Sequence, residues 1–366
     1  MGPLSGIRII ELAGIGPGPM CAMLLADLGA EVIRIDRMTP NDLGVQRPLR
    51  FNLTLRGRKV VALDLKTAEG RETVLKLVER ADALIEGFRP GVTERLGLGP
   101  DDCLKRNPRL VYGRITGWGQ TGPLSTAAGH DLNYIAVTGA LGSIGRKDQP
   151  PTPPLNLVGD FGGGSLYLAM GILSALIERQ QSGLGQVVDA AIVDGTASLM
   201  TQFFGMAAAG LWEEPRGTNM LDSGAPFYDV YQCADGRFIS VAPIELKFLE
   251  ELIERMKLPT GSVGLAKERH NWPELRFRLS NAFRREPLSY WCELLEGSDS
   301  CVAPVLSIGE APQHHHLAAR GTFINIDGII QPAPAPRFSR SQPVQPIPPQ
   351  PPQSVDVSEA LAEWLA

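Results

Sequence analysis

Cysteine is sparse and unpaired in this sequence of 366 residues: Cys21, Cys103, Cys233, Cys292 and Cys301 lie far apart, with no C-x-x-C among them. That spacing indicates neither a zinc site nor a disulfide framework, and it suits a reducing compartment. A basic excess is missing too. Lys and Arg number 35 against 40 Asp and Glu, a formal net charge of −5, so no general field exists for nucleic acid and any anionic ligand must meet local arginines. Apolar windows are interrupted by Gly or charge before the roughly 18 residues a membrane span needs. The stretch Met1–Arg8 shows no basic region followed by an apolar one. The expectation is a cytoplasmic chain with neither membrane nor nucleic-acid partner.

What is present is an ordinary globular composition, 43% hydrophobic and 20% charged, with 40 Gly and 30 Pro that imply many tight turns. The length allows two domains. Ile7–Leu12 reads as a strand, and Met20, Met23, Leu24 and Leu28 share one face of a following helix. Further apolar runs at Glu31–Ile35, Val60–Leu65, Ala83–Ile85 and Leu110–Ile115, with a helical pattern at Glu69–Arg80, favour a doubly wound, mostly parallel sheet. The expected organisation is a large α/β domain over 1–200, a linker over 201–224 and a small α+β domain over 225–320. Within the small domain a hairpin turns at Asp235-Gly236, ahead of helices at Leu246–Met256 and Trp272–Glu296. Gln331–Gln353 carries nine prolines and reads as an extended return strap. A closing helix over 355–366 completes the 321–366 segment, packing on the large domain.

Gly14-Ile15-Gly16-Pro17-Gly18-Pro19 follows the first strand and opens a helix, with Asp36 about twenty residues on, in the manner of a dinucleotide fingerprint. The third glycine position holds Pro19, however, and two prolines remove N–H donors that a pyrophosphate would need. A strained strand-to-helix turn is the simpler reading.

Of five histidines, His314, His315 and His316 are consecutive; adjacent residues point apart and no carboxylate or cysteine pattern flanks them, so they read as a solvated loop rather than a metal site. His270 has no evident partner. His130 differs, because it opens a helix within Gly129-His130-Asp131-Leu132-Asn133-Tyr134, and its ordinary pKa suits proton transfer near neutrality. Asp160 sits in Asn156-Leu157-Val158-Gly159-Asp160-Phe161-Gly162-Gly163-Gly164, ahead of a long apolar helix at Gly162–Gln180 with Leu166, Met170, Leu173 and Leu176 on one face. An aspartate there N-caps well, and the helix terminus and apolar neighbours pull its protonation in opposite directions.

These segments, together with Glu11–Pro19, Gly87–Val92 and Asn219–Pro226, closely resemble α-methylacyl-CoA racemases, a group within the family III CoA-transferase superfamily, over nearly the whole chain. The resemblance implies a Rossmann-like large domain, a smaller α+β domain and an interlocked homodimer whose active site joins the large domain of one subunit to the small domain of the other. It implies that His130 and Asp160 exchange protons on opposite faces of the α-carbon of a 2-methylacyl-CoA, and that Glu245 orients His130. No cofactor is implied, since coenzyme A is part of the substrate. Backbone N–H groups near Gly159–Phe161 are expected to stabilise the enolate.

Around Glu245 the sequence departs from the family pattern: Pro243 precedes Ile244, and Leu246-Lys247 stand where relatives generally carry Pro-Gln. Coenzyme A contacts are implied for Arg37, Leu63, Asp64, Leu65, Lys66, Gly87, Phe88, Arg89 and Arg95, and for Gly129, Asp131, Leu132, Asn133 and Tyr134. Met200, Met206 and Met220 are candidates for an apolar acyl surface, with core packing as the alternative. A CoA-transferase using Asp160 as the acyl-accepting nucleophile is the rival reading. Transferases commonly have Gly-Tyr-Asp where this sequence has Gly129-His130-Asp131.

Overall fold

Six apolar segments pair into one parallel sheet in the order β3-β2-β1-β4-β5-β6: β1 Arg8–Leu12, β2 Glu31–Asp36, β3 Arg58–Ala62, β4 Ala83–Glu86, β5 Val111–Thr116 and β6 Val187–Ala191. This order is that of the Rossmann fold. The computed structural model describes residues 1–39, 44–343, 345–352 and 356–365. Residues 344 and 353 of the expected strap, and 355 and 366 of the expected closing helix, lie outside them.

The strands read as continuous apolar runs because helices cover both faces. On one face Ile9, Val32, Ile85 and Ile115 pack with Cys21 and Leu25 of helix Pro17–Asp27 and with Leu168 and Ile172 of helix Leu166–Ser182. On the other, Ile10, Ile33, Val61 and Leu84 meet Val74 and Leu77 of helix Ala68–Val78 and Trp364 of the terminal helix Val357–Leu365. The Arg8 guanidinium donates to Trp364 O at 2.8 Å, fastening that helix to β1.

The expected stripe of the long helix lies inward only in part: Leu176 is buried and Leu173 packs against the core, but Leu166 and Met170 do not. Leu168, Ala169, Ile172, Ala175 and Leu176 face the sheet, while Leu166, Met170 and Ile177 stand 54, 56 and 63% exposed. Small Ala169 and Ala175 share that face with Leu168, Ile172 and Leu176, so side-chain size alone does not mark it. Together with the turn before it, Leu157–Ser182 is also long and apolar enough to cross a membrane by length and composition, contrary to the sequence reading. Its buried face is part of the sheet's core.

A charge cluster lies inside this unit. Glu11 on β1 is paired by Arg34 on β2 and by Arg58 on β3, the latter at 3.0 Å, and Arg58 also donates to Pro19 O. Burial would raise the Glu11 pKa, but the two guanidiniums outweigh it and hold the carboxyl below its ordinary range. The cluster thereby ties three strands to the end of the Gly14–Pro19 turn.

By contacts, the first compact unit comprises 1–138, 155–200 and 316–366, and the second comprises 139–154 and 201–315. The 201–224 segment begins as helix Thr201–Ala208 and groups with the second unit. There β7 Asp229–Gln232, β8 Phe238–Val241 and β9 Val302–Pro304 form an antiparallel sheet, with the hairpin turning at Gly236, φ +80°. Phe227, Tyr231, Ile239, Leu252, Phe283 and Trp291 fill its core. The helix expected over Trp272–Glu296 is two, Trp272–Phe283 and Leu288–Leu295, because Pro287 cannot continue the first.

Candidate active site

A cleft of about 530 Å³ opens in the first unit where the chain leaves three neighbouring strands. Ile15, Gly16 and Pro17 follow β1, Gly87 to Pro90 follow β4, and Thr116 to Trp118 close and follow β5. In an open parallel sheet the carboxyl ends at the reversal of strand order are the natural ligand crevice, and β1 and β4 are the pair flanking it.

His130 reaches this cleft as the N-cap of helix Asp131–Val137. Its own N–H donates to Asn133 Oδ1 at 3.0 Å, and Asn133 N donates back to His130 O at 2.8 Å, so the backbone beneath the imidazole is fixed. One turn on, the Tyr134 ring fills the floor. A Cβ at Gly117 would lie 1.9 Å from that ring and one at Gly129 2.7 Å, so both positions require glycine. Trp118 meets Tyr134 edge-on at 4.9 Å between centroids.

Asp160 enters from a π-helical segment, Leu157–Ser165, continuous with helix Leu166–Ser182. Such wide turns recur at functional sites because they project a side chain that a regular helix would not. Burial is the main influence on its carboxyl, which is pushed up to about 6; the charge of Asp131 adds to the rise, while a 3.3 Å hydrogen bond from Asn156 Nδ2 and the His130 imidazole oppose it. Asp160 is thus not the helix N-cap suggested by its sequence context. Its carboxyl is instead tuned close to neutrality.

The expected backbone donors at Gly159–Phe161 are otherwise engaged. Asp160 N donates to Asp131 Oδ1 at 2.7 Å, Gly159 N also bonds the Asp131 carboxylate, and Phe161 N donates to Asn156 O at 3.2 Å. A Cβ at Gly159 would sit 2.4 Å from Asp131 Oδ1, so glycine there admits the carboxylate to the backbone. Asp131, expected at the ligand, is buried beneath Asp160, with burial raising its pKa against those two bonds. Similar close approach seats the turn on helix Ile192–Leu199, where a Cβ at Gly195 would lie 1.9 Å from Gly163 O.

Of the other expected contacts, Gly87, Phe88, Arg89, Gly129, Asn133 and Tyr134 line the cleft, and Arg37, Leu63, Asp64, Leu65, Lys66, Arg95 and Leu132 do not. Leu63 and Leu65 pack against the sheet core, and Asp64 Oδ1 accepts from Lys66 N. Arg37 and Leu63 follow the carboxyl ends of β2 and β3 on the same sheet edge. Glu245 lies in the second unit, solvent-exposed at the N-cap of helix Leu246–Arg255 and capping no backbone N–H.

Residues the sequence reading passed over hold the walls in place. Buried Glu86, which ends β4, accepts Phe88 N at 2.7 Å and Arg114 Nε at 2.7 Å, and Arg114 Nη1 reaches Glu94 at 2.8 Å. This fixes the loop carrying Arg89. A glutamate closing an otherwise apolar strand was the available signal.

Comparison with known proteins places this geometry in context. The family model for CoA-transferase family III matches residues 4–354. Alpha-methylacyl-CoA racemase from Mus musculus is 44% identical over 343 residues, covering 93% of this chain and 88% of that protein. The enzyme of the same name from Homo sapiens is 43% identical over 336 residues, covering 91% and 86%. Among solved structures, a CAIB/BAIF family protein from Brucella suis aligns over 99% of both chains with a TM-score of 0.82 at 26% identity.

Proposed function

The chain belongs to CoA-transferase family III, and within that family we propose that it inverts the configuration at carbon 2 of 2-methylacyl-CoA thioesters by 1,1-proton transfer. The observation that carries this reading is that His130 and Asp160 both line one cleft, with Asp160 tuned to about 6. A group with a pKa near the working pH exchanges protons in either direction, as interconversion of two epimers demands. One group removes the C2 proton, and the C–H electron pair delocalises onto the thioester oxygen as an enolate. The other delivers a proton to the opposite face. The roles reverse for the other epimer.

Because the N–H groups around Asp160 are engaged, electrostatic support for the enolate falls to the cleft's remaining donors and to the N-terminal end of helix Pro17–Asp27, which starts at Gly16 and Pro17 in the cleft wall. Arg89, exposed on the same wall, is the cation suited to a coenzyme A phosphate. The 2-methyl branch is proposed from the name the racemase relatives carry, and the homodimer is proposed from the family resemblance. The apolar row Leu166, Met170 and Ile177, more than half exposed, supports burial against a second chain. The orienting role of Glu245 is tested by Glu245→Gln, expected to slow epimerisation at unchanged thermal stability.

The deciding experiment incubates a single 2-methylacyl-CoA epimer in deuterated water. Epimerisation with deuterium entering at carbon 2 is expected, and His130→Ala and Asp160→Ala are each expected to abolish it. Acyl transfer to a free carboxylic acid without exchange would instead make Asp160 a nucleophile.

A further inference from the structure

Two of the consecutive histidines, His314 and His315, do converge, on a carboxylate eighteen positions upstream of His314. Glu296 ends helix Leu288–Leu295 as its C-cap, His314 closes the short turn Ala311–Gln313, and His315 opens helix His315–Ala319. All three belong to the second unit. His314 Nε2 lies 2.7 Å from Glu296 Oε1 and His315 Nδ1 lies 3.8 Å from the same oxygen. The two imidazoles stack at 4.7 Å between centroids, 26° from parallel. One ligand atom from each of the three residues falls within 4.8 Å of the others.

A second observation goes beyond proximity. His314 Nδ1 is buried and has no hydrogen-bond partner among the described residues. The bond to Glu296 therefore engages only one of the two nitrogens of this imidazole. None of the three residues lines the cleft, so proton transfer at carbon 2 does not account for them.

We propose that Glu296, His314 and His315 form a binding site for a divalent transition metal of the zinc class, with water completing the coordination. Two imidazoles and one carboxylate are a donor set that zinc favours, and bond lengths of about 2.0–2.1 Å place tetrahedral ligand atoms roughly 3.4 Å apart. The separations of 2.7 and 3.8 Å bracket that spacing, and the third lies within 4.8 Å, so side-chain rotation brings the donors onto a metal. Bound there, the ion joins the end of helix Leu288–Leu295 to residues 314 and 315, the last of the second unit in sequence. Its role is to clamp this unit, apart from the chemistry at the cleft.

The test uses the full-length, tag-free chain, stripped with a chelator, dialysed and titrated with zinc in a calorimeter. One site per chain is expected. His315→Ala should weaken it at least 10-fold, and His314→Asn combined with His315→Ala should remove it. His315 is 76% exposed, so its replacement should leave the melting temperature in chelator unchanged, which separates lost ligation from lost folding. Cobalt(II) should give visible bands without a thiolate charge-transfer band, excluding the five cysteines as ligands. Zinc affinity unchanged in His315→Ala, a thiolate band, or no binding by the unaltered chain would each overturn the site. Epimerisation is expected to persist in chelator and in both variants, so this test stands or falls independently of the proton-transfer reading.

Discussion

Replacing Asp160 by asparagine should make the protein more stable and inactive. The carboxyl rises from an ordinary 3.8 to about 6 because its surroundings disfavour the charge. At 1.36 kcal/mol per pH unit this is worth about 3 kcal/mol, and water reaching a half-buried group on a cleft wall reduces it to roughly 2 kcal/mol. Folded Asp160 holds its proton more tightly than unfolded Asp160. Its ionised form therefore destabilises the fold above about pH 6, and that cost disappears as the pH falls toward 4.

Asparagine keeps the shape and an oxygen able to accept from Asn156 Nδ2, without ever carrying the charge. Urea unfolding of Asp160→Asn and the unaltered chain should differ by roughly 2 kcal/mol in favour of the variant at pH 7.5, with the difference vanishing near pH 4. Deuterium exchange into carbon 2 should be lost at every pH. An unaltered chain more stable than the variant at pH 7.5, or a difference independent of pH, would show that burial does not govern this carboxyl.

The same tuning predicts one pH profile shared by both epimers. The pair His130 and Asp160 must hold a single proton between them in either direction, and the equilibrium between epimers does not depend on pH. So kcat/KM should change through about pH 6 in the same sense for both, as initial rates in each direction will show; profiles that differ between the epimers would refute it. Glu11→Gln should cost about 3–5 kcal/mol, because it leaves Arg34 and Arg58 buried without their counter-charge. The Glu11 pKa is lowered in the fold, so its contribution is present above the ordinary glutamate range and lost as pH falls through the folded value; acid titrations of the two proteins should converge. Gly195→Ala should destabilise by at least about 1–3 kcal/mol, since its Cβ would meet backbone at Gly163 O rather than a movable side chain, and thermal melts will measure this.

Five of the sheet's six strands were legible because each is an apolar run bounded by turn residues, and because the periods change between Leu12 and Met20 and again near Glu69; β6, with Asp189 at its centre and Val187 exposed, was not among the expected runs. Which helix face lies inward was not legible in the same way. Hydropathy points to Leu166 and Met170, yet closeness to the strands selects Ala169, Ile172 and Ala175. A lesser ambiguity hid the second unit's share of residues 139–154, an excursion that no local signal separates from the first unit.

At the cleft, His130 and Asp160 could be picked out because each stands in a distinctive local segment, whereas their electrostatic settings depend on partners that sequence does not bring near. Asp131 illustrates this. Adjacent to His130 in sequence, it reads as another ligand contact, but Gly159 lets its carboxylate in to accept the very N–H groups assigned to the enolate. Beside them, burial and that same negative charge push Asp160 toward neutrality. The glycines of the 159–164 turn thus serve close backbone approach rather than an oxyanion hole, and through Asp131 that approach helps hold the Asp160 carboxyl near the middle of the pH range.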